Sequence, residues 1–392
     1  MFVSSVDVAV LGRFLVGEEW TKDDTRHCSK PEQLLSIIRA EGVAALCYEV
    51  CLNHAGGVLS VDLLPALRAE ARRCAIREMR LRIVLRELFR AFRARSVPAV
   101  CIKGVGLAYT LYDQPYHRPW SDLDLVVPEG SRAEAARLLE DIGYTCTDQK
   151  AWRRTRASAQ ATFTGGHEQA ALSVDLHWQI SNRRLFRDAL SVDAIIADSV
   201  PLGGVMGEGR TACTWHAFVI ALMHRATNHT APYYIDGKPR LMPNRLIWLY
   251  DIYLLYRRLS AEELASVSQF LQAQGLVAVA ADGLNAVQDA FGVQLLVPGI
   301  PPQAARSKTE PTAAYLSCGP LTRRLVELRA SRGLAEKWGL VREWLLVAPE
   351  VELTSRGSTR RIGSWLAGFW AVVVKNVQVS RVWRRRIRKR ER

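Results

Sequence analysis

The chain has 392 residues, 49% of them hydrophobic, and a formal net charge of +14; that apolar share is enough for ordinary buried cores and excludes a largely disordered protein. Its best apolar run, 362–374, is shorter than the ~20 residues a spanning helix needs, and the N-terminal segment has neither a basic n-region nor an A-x-A cleavage pattern, so neither an integral membrane protein nor a secreted one is expected. Eight cysteines without a single CxxC pair read as buried thiols in a reducing cytoplasm rather than as a disulfide framework or a paired-cysteine zinc site.

Residues 1–95 read as a helical region. Leu34, Leu35, Ile37, Ile38, Val43, Leu46 and Cys47 recur at helical spacing, and 66–95 is a long Arg- and Ala-rich segment with Leu81, Ile83, Val84, Leu85, Leu88 and Phe89 on its apolar side. Pro98 breaks that pattern. The short apolar run 99–102 suits a buried strand, Lys103-Gly104-Val105-Gly106 suits a turn into a helix, and 121–127 suits a second strand. Residues 131–142 predict an amphipathic helix opened by a Ser131 cap and stopped by Gly143. Strands are expected near 144–147, 161–164 and 171–180. From Thr211 onward helices dominate, most clearly 215–228 and 246–259, and four prolines mark 297–312 as a linker or surface loop. The expected organisation is a helical region over 1–95, an α+β core over 96–205, a helical domain over 206–350 and a basic amphipathic tail over 351–392.

The chemistry concentrates in three carboxylates. Side chains two apart on a strand share a face, so Asp122 and Asp124 point the same way while Leu123, Leu125 and Val127 enter the core. On a later strand Ser173, Asp175 and His177 share a face. Adjacent carboxylates repel unless a cation lies between them. If the two strands are neighbours, three oxygen-ligand side chains converge, a set that suits Mg²⁺ and phosphoryl displacement. Taken alone, a D-x-D is equally a surface ion pair or a turn.

The order strand, glycine turn, helix, D-x-D strand, third carboxylate resembles the DNA polymerase beta-like nucleotidyltransferase superfamily. More narrowly, Ile102-Lys-Gly104, Leu111-Tyr112, Arg118, Asp122-Leu-Asp-Leu-Val-Val127, Gly143-Tyr144, Val174-Asp-Leu-His-Trp178, His224, His229 and Trp248-Leu-Tyr-Asp251 look like a bacterial family of uncharacterised nucleotidyltransferases. The resemblance covers roughly 97–256. It implies a small mixed-sheet core flanked by helices, with Asp122, Asp124 and Asp175 as catalytic and metal residues holding two Mg²⁺ ions. It also implies an NTP co-substrate, with ATP the expected one, and NMP transfer to an acceptor with release of pyrophosphate. Two departures stand out: Asp175 where the family often has Glu, and Lys103-Gly104 where the superfamily has Gly-Ser.

Around these carboxylates, Lys103 is a candidate phosphate ligand, Gly104 and Gly106 would let backbone approach a triphosphate, Arg118 could grip phosphate in a fork, and His177 could orient a carboxylate or act as a base. For each there is a plain structural alternative, a solvated lysine or a core hydrogen bond. His224, His229 and Asp251 read as a polar cluster docking the helical domain on the cleft, with Asp251 the buried partner of the histidines; a zinc site is the rival reading of the same three. The acceptor is unspecified: a small molecule, a peptide or a protein side chain, with nucleic acid allowed but not favoured because the basic groups lie away from the motif.

Half of the net charge sits in 381–392, where eight basic residues face one acid. Such an end suits a polyanionic partner or a simple solvated tail. The rival to catalysis is therefore a non-catalytic nucleotide-binding or tethering protein whose segment 359–392 lies on an anionic membrane, with Trp365, Phe369, Trp370 and Val374 on its apolar side.

Overall fold

The computed structural model describes residues 5–21, 24, 30–53, 63–149, 152, 158–166, 171–203, 207–228, 232–235, 238–242, 244–307, 309–318, 320–331, 333–334 and 337–340. His229 and the tail 351–392 lie outside the described residues. Among the described residues no helix is long and apolar enough to cross a membrane.

The fold is α+β. Its centre is a seven-stranded mixed sheet built from β1 (Val100–Ile102), β2 (Asp122–Val126), β3 (Thr145–Cys146), β4 (Gln160–Gly165), β5 (Leu172–His177), β6 (Val200–Pro201) and β7 (Arg210–Thr211). Across the sheet they run β3-β4-β5-β2-β1-β7-β6. β2 and β5 pair in parallel, while β1 with β2 and β4 with β5 are antiparallel.

Along β2, β4 and β5 the polar residues Asp122, Asp124, Gln160, Thr162, Ser173 and Asp175 alternate with buried apolar ones, so one face of these strands is core and the other carries the polar groups. Toward one face, Cys101, Leu123, Leu125, Val174 and Leu176 join a core closed by the long helix α4 (Leu64–Ala94) and by α6 (Arg132–Asp141). α4 contributes Leu81, Val84, Leu85, Leu88, Phe89 and Phe92 at three- and four-residue steps, all buried, whereas Ile83, expected on the same side, falls off that stripe and is exposed; each buried side chain stabilises by about 1.5–3 kcal/mol when withdrawn from water. α6 starts as expected, but Ser131 makes no capping hydrogen bond: it closes a single 3-10 turn at Glu129–Ser131 and has helical dihedrals itself.

Toward the other face, Val100, Ile102 and Val126 belong to a larger, mainly helical core. Its N-terminal helices are α1 (Ser5–Leu15), α2 (Pro31–Glu41) and α3 (Ala44–Asn53). They share that core with α9 (Thr214–Asn228), α10 (Leu246–Arg258), α11 (Ala261–Ala273) and α12 (Val277–Phe291). α1 packs directly on α12. α2 ends at Gly42, whose φ of 75° lets its N–H return to the Arg39 and Ile38 carbonyls. That turn places α2 head to tail with α10: Glu41 Oε2 accepts the Leu246 N–H at 2.7 Å, and Arg245 Nε donates to the Ala40 carbonyl at 2.9 Å. A carboxylate at a helix N-terminus meets the positive end of the dipole.

Short helices α7 (Arg184–Arg187) and α8 (Val192–Ala197) lead into β6, and a hairpin of β8 (Pro232–Ile235) and β9 (Lys238–Leu241) separates α9 from α10. The proline-rich stretch expected as a loop contains a 3-10 turn, Pro302–Arg306, before α13 (Pro311–Ser317) and α14 (Pro320–Ala330).

Gly106 lies inside α5 (Gly104–Leu111), buried, and a Cβ there would sit 2.2 Å from Thr211 Oγ1. That hydroxyl donates to the Cys101 carbonyl at 3.0 Å, so it has little freedom to retreat. The glycine is required by helix–strand packing. Gly106→Ala is expected to destabilise the protein by about 1–3 kcal/mol, read as a lower urea midpoint at unchanged m-value.

Candidate functional site

The parallel register of β2 and β5 places Asp124 directly opposite Asp175. Asp122 lies two residues earlier on the same face. The Asp175 carboxylate is oriented from β4, where Gln160 Nε2 donates to Oδ2 at 2.8 Å and Thr162 Oγ1 donates to Oδ1 at 2.7 Å. These two donors were not anticipated; the signal was the alternation Gln160, Thr162, Thr164 beside a strand already suspected.

Asp124 is the most tightly held member. Lys103 Nζ donates to its Oδ1 at 2.7 Å, and His177 Nε2 lies 2.9 Å from the same oxygen. Burial opposes its ionisation, but the Lys103 ammonium and the His177 hydrogen bond prevail and hold Asp124 well below the usual carboxylate range. Asp122 shifts the other way: burial, then repulsion from Asp124 and Asp175, raises its carboxyl above the ordinary value, with partial relief from Ser121 and Lys103. His177 is fully buried beneath the carboxylates rather than on an open face, and its Nδ1 has no hydrogen-bond partner.

Lys103 reaches Asp124 from the junction of β1 and α5 with φ 62° and ψ −134°, a region that costs a non-glycine residue on the order of 1–3 kcal/mol. Gly104 follows at the first position of α5. A Cβ there would meet Trp120 Cβ at 3.2 Å, so the close approach of the Trp120 loop to the helix start requires its absence.

Lys103, Gly104, Asp122, Asp124, Gln160 and Asp175 form the floor of a cavity of about 720 Å³, whereas His177 does not line it. α4 contributes Arg77 and Glu78 to its walls, α9 contributes Met223, His224, Thr227 and Asn228, α10 contributes Trp248, and Trp120, Asn182, Arg183 and Arg245 complete it. Arg183 and Arg245 stand on segments that carry no motif, so sequence reasoning passed over them. Gly106 does not line the cavity; the expectation that it admits phosphate gives way to its packing on Thr211.

Two expectations need correction. Arg118 borders the cavity, but its fork is engaged: Nη2 donates to Asp251 Oδ2 at 2.8 Å and Nε to the same oxygen at 3.3 Å. A buried guanidinium needs a carboxylate, and Asp251 on α10 supplies it. Despite burial, which works against it, Asp251 drives the Arg118 pKa further above its ordinary value. Asp251 is accordingly not hydrogen-bonded to His224, and His229 lies outside the described residues. Its Oδ1 accepts the Tyr112 hydroxyl at 2.7 Å. His224 instead has Asn228 Nδ2 3.1 Å from Nδ1 and meets the Trp248 ring edge-on at 5.1 Å. Burial, then the Lys103 charge, lowers its pKa to about 3, so the ring is neutral at neutral pH. With Asp251 committed to Arg118, the zinc set of His224, His229 and Asp251 loses its carboxylate.

The model of a family described as uncharacterised nucleotidyltransferase matches residues 27–292. The chain belongs to that family. Comparison with curated proteins finds no match. The matched span of this nucleotidyltransferase begins before α2 and ends just after α12, so the helices that wall the cavity are inside it together with the carboxylate sheet.

Asp251→Asn keeps the side-chain shape but leaves Arg118 charged and unpaired in the interior; a loss of about 3–5 kcal/mol is expected, measured by denaturant unfolding. Lys103→Gly and Lys103→Ala both remove the Asp124 ion pair, yet only glycine tolerates the positive φ. The glycine variant should be the more stable of the two by about 1 kcal/mol; equal unfolding midpoints would show that the turn is not strained.

Proposed function

We propose that this nucleotidyltransferase moves a nucleoside monophosphate from a Mg²⁺-bound NTP, with ATP the expected donor, to a hydroxyl, amine or phosphate acceptor, and releases pyrophosphate. The observation that carries the reading is the register of β2 on β5, which brings Asp122, Asp124 and Asp175 together at the floor of the cavity.

The donor set fits magnesium. Three carboxylates provide hard oxygen ligands, and burial first, then the neighbouring Asp124 and Asp175 charges, raise the Asp122 carboxyl, a cost that a bound cation would relieve. Asp122, Asp124 and Asp175 would hold the metal, two ions on the superfamily pattern. Bound Mg²⁺ supplies charge neutralisation at the phosphate oxygens. The donors from Gln160 and Thr162 engage both Asp175 oxygens and fix the direction of its carboxylate.

The protein's own part is positioning. The N-terminus of α5, with Gly104 at its first position, presents unpaired backbone N–H groups to an anion. Lys103 adds an ammonium at that end and keeps Asp124 ionised. Arg183 and Arg245 place further positive charge along the walls, and Trp120 and Trp248 supply aromatic surface. The acceptor, whether small molecule, peptide or protein side chain, would enter beside Asp175. Its nucleophilic atom bonds to the α-phosphorus as the bond to pyrophosphate breaks, with its proton leaving to the carboxylate cluster.

The test is label transfer from α-labelled ATP, GTP, CTP and UTP with Mg²⁺, using cell extract as the source of acceptors. Wild type is compared with a folded Asp122→Asn/Asp124→Asn variant. Transfer is expected to fall by on the order of 10²–10³-fold or more in the variant. Equal transfer in both proteins, or Mg-NTP binding indifferent to the carboxylates, would overturn the reading and leave the tethering alternative.

A further inference from the structure

A second convergence of ligand-type side chains lies at the other end of the sheet. Asp198 closes α8, Cys213 follows β7, and His216 stands in the first turn of α9. A carboxylate oxygen, the Cys213 Sγ and a His216 ring nitrogen all lie within 4.8 Å of one another. None of the three lines the catalytic cavity.

The ring of His216 is the anomalous part. It is 0% exposed, and neither Nδ1 nor Nε2 has a hydrogen-bond partner. Its Nε2 stands 3.9 Å from Asp198 Oδ2, beyond hydrogen-bond reach. An imidazole with both nitrogens buried and unpartnered costs free energy. Two ligands on one tetrahedral metal stand about 3.3–3.8 Å apart for metal–ligand bonds of about 2.0–2.3 Å, so the 3.9 Å separation needs only a small side-chain adjustment to close on an ion. Cys213 and His216 are three residues apart at a helix start, so they fall on the same side of the first turn. Asp198 is about half exposed (53%), which gives an ion a route in and leaves room for water at a fourth position.

We propose that Asp198, Cys213 and His216 bind a zinc ion, separate from the carboxylate site. A thiolate, an imidazole and a carboxylate form a borderline-soft set that selects Zn²⁺ over Mg²⁺. The ion joins the end of α8 to the start of α9. Because α9 also carries Met223, His224, Thr227 and Asn228 into the cavity, zinc would fix one wall of the active site from outside it. Sequence spacing did not reveal this set, since its single cysteine has no cysteine partner and its aspartate comes from another element.

The experiment uses the full chain. Protein stripped with chelator is titrated with Co²⁺ while thiolate-to-cobalt charge transfer is followed, then with Zn²⁺ against a chromophoric chelator, with thermal melting in parallel. The proteins are wild type, Asp198→Ala, Cys213→Ser and the Asp122→Asn/Asp124→Asn variant. Wild type and the carboxylate variant should each bind one zinc, show the charge-transfer band and melt at a higher temperature with zinc. Asp198→Ala and Cys213→Ser should lose affinity by on the order of 100-fold or more, since even outer-shell changes cost about 10–100-fold, and should gain no thermal stability from zinc. Asp198 is exposed, so its variant folds even if the cysteine variant does not. Absence of stoichiometric binding in wild type, absence of the thiolate band, or undiminished binding in Asp198→Ala would overturn the proposal. Failure here leaves the transferase reading intact, because the label-transfer assay interrogates the other cluster.

Discussion

The structure depends on the ionised state of Asp124. A carboxylate taken out of water costs several kcal/mol unless it is met by charge and hydrogen bonds, and the protein meets it from two directions: Lys103 from the β1–α5 junction and His177 from β5 beneath it. The demand explains otherwise odd features. Lys103 holds a backbone conformation that disfavours side chains, and from it the ammonium reaches Oδ1. His177 is buried because its job is done below the floor. Asp122 and Asp175, less buried, then face the cavity with a surplus of negative charge.

A second buried pair ties the chemistry to the helical layer. Arg118, four residues before Asp122, is clamped by Asp251 of α10, which also receives the Tyr112 hydroxyl at the end of α5. The loop entering β2, the helix that starts at Lys103 and the helix bearing Trp248 therefore share one polar junction. A cavity between a sheet and a helical layer keeps its width only if the layers keep their spacing, and this junction lies at its edge.

Much of the centre was legible from the chain alone because β-strand periodicity is local. Asp122 and Asp124 must share a face whatever surrounds them, and the apolar runs on either side had to be strands of a covered sheet. The pairing of Asp124 with Asp175 could only be suspected, since register is a property of two strands together. What escaped was the set of partnerships between distant elements. Arg118 looked like a phosphate ligand and Asp251 like a histidine partner because each was read in its own segment, whereas burial joined them to each other. Gly104 and Gly106 looked equivalent in a glycine turn, yet one begins a helix at the cavity and the other sits under Thr211. Arg183 and Arg245 had no motif to announce them.

The packing of α1 on α12 and the head-to-tail contact of α2 with α10 have a temporal consequence. During synthesis α1 and α2 are complete by Glu41, while α10 and α12 end only at Arg258 and Phe291. Until then the apolar faces holding Leu11, Phe14 and Ile38 have only one another and α3 to pack on. Contacts of such sequence separation close late and slowly, so the nascent chain carries half-covered apolar helices through much of translation, and its early life depends on whatever shields them.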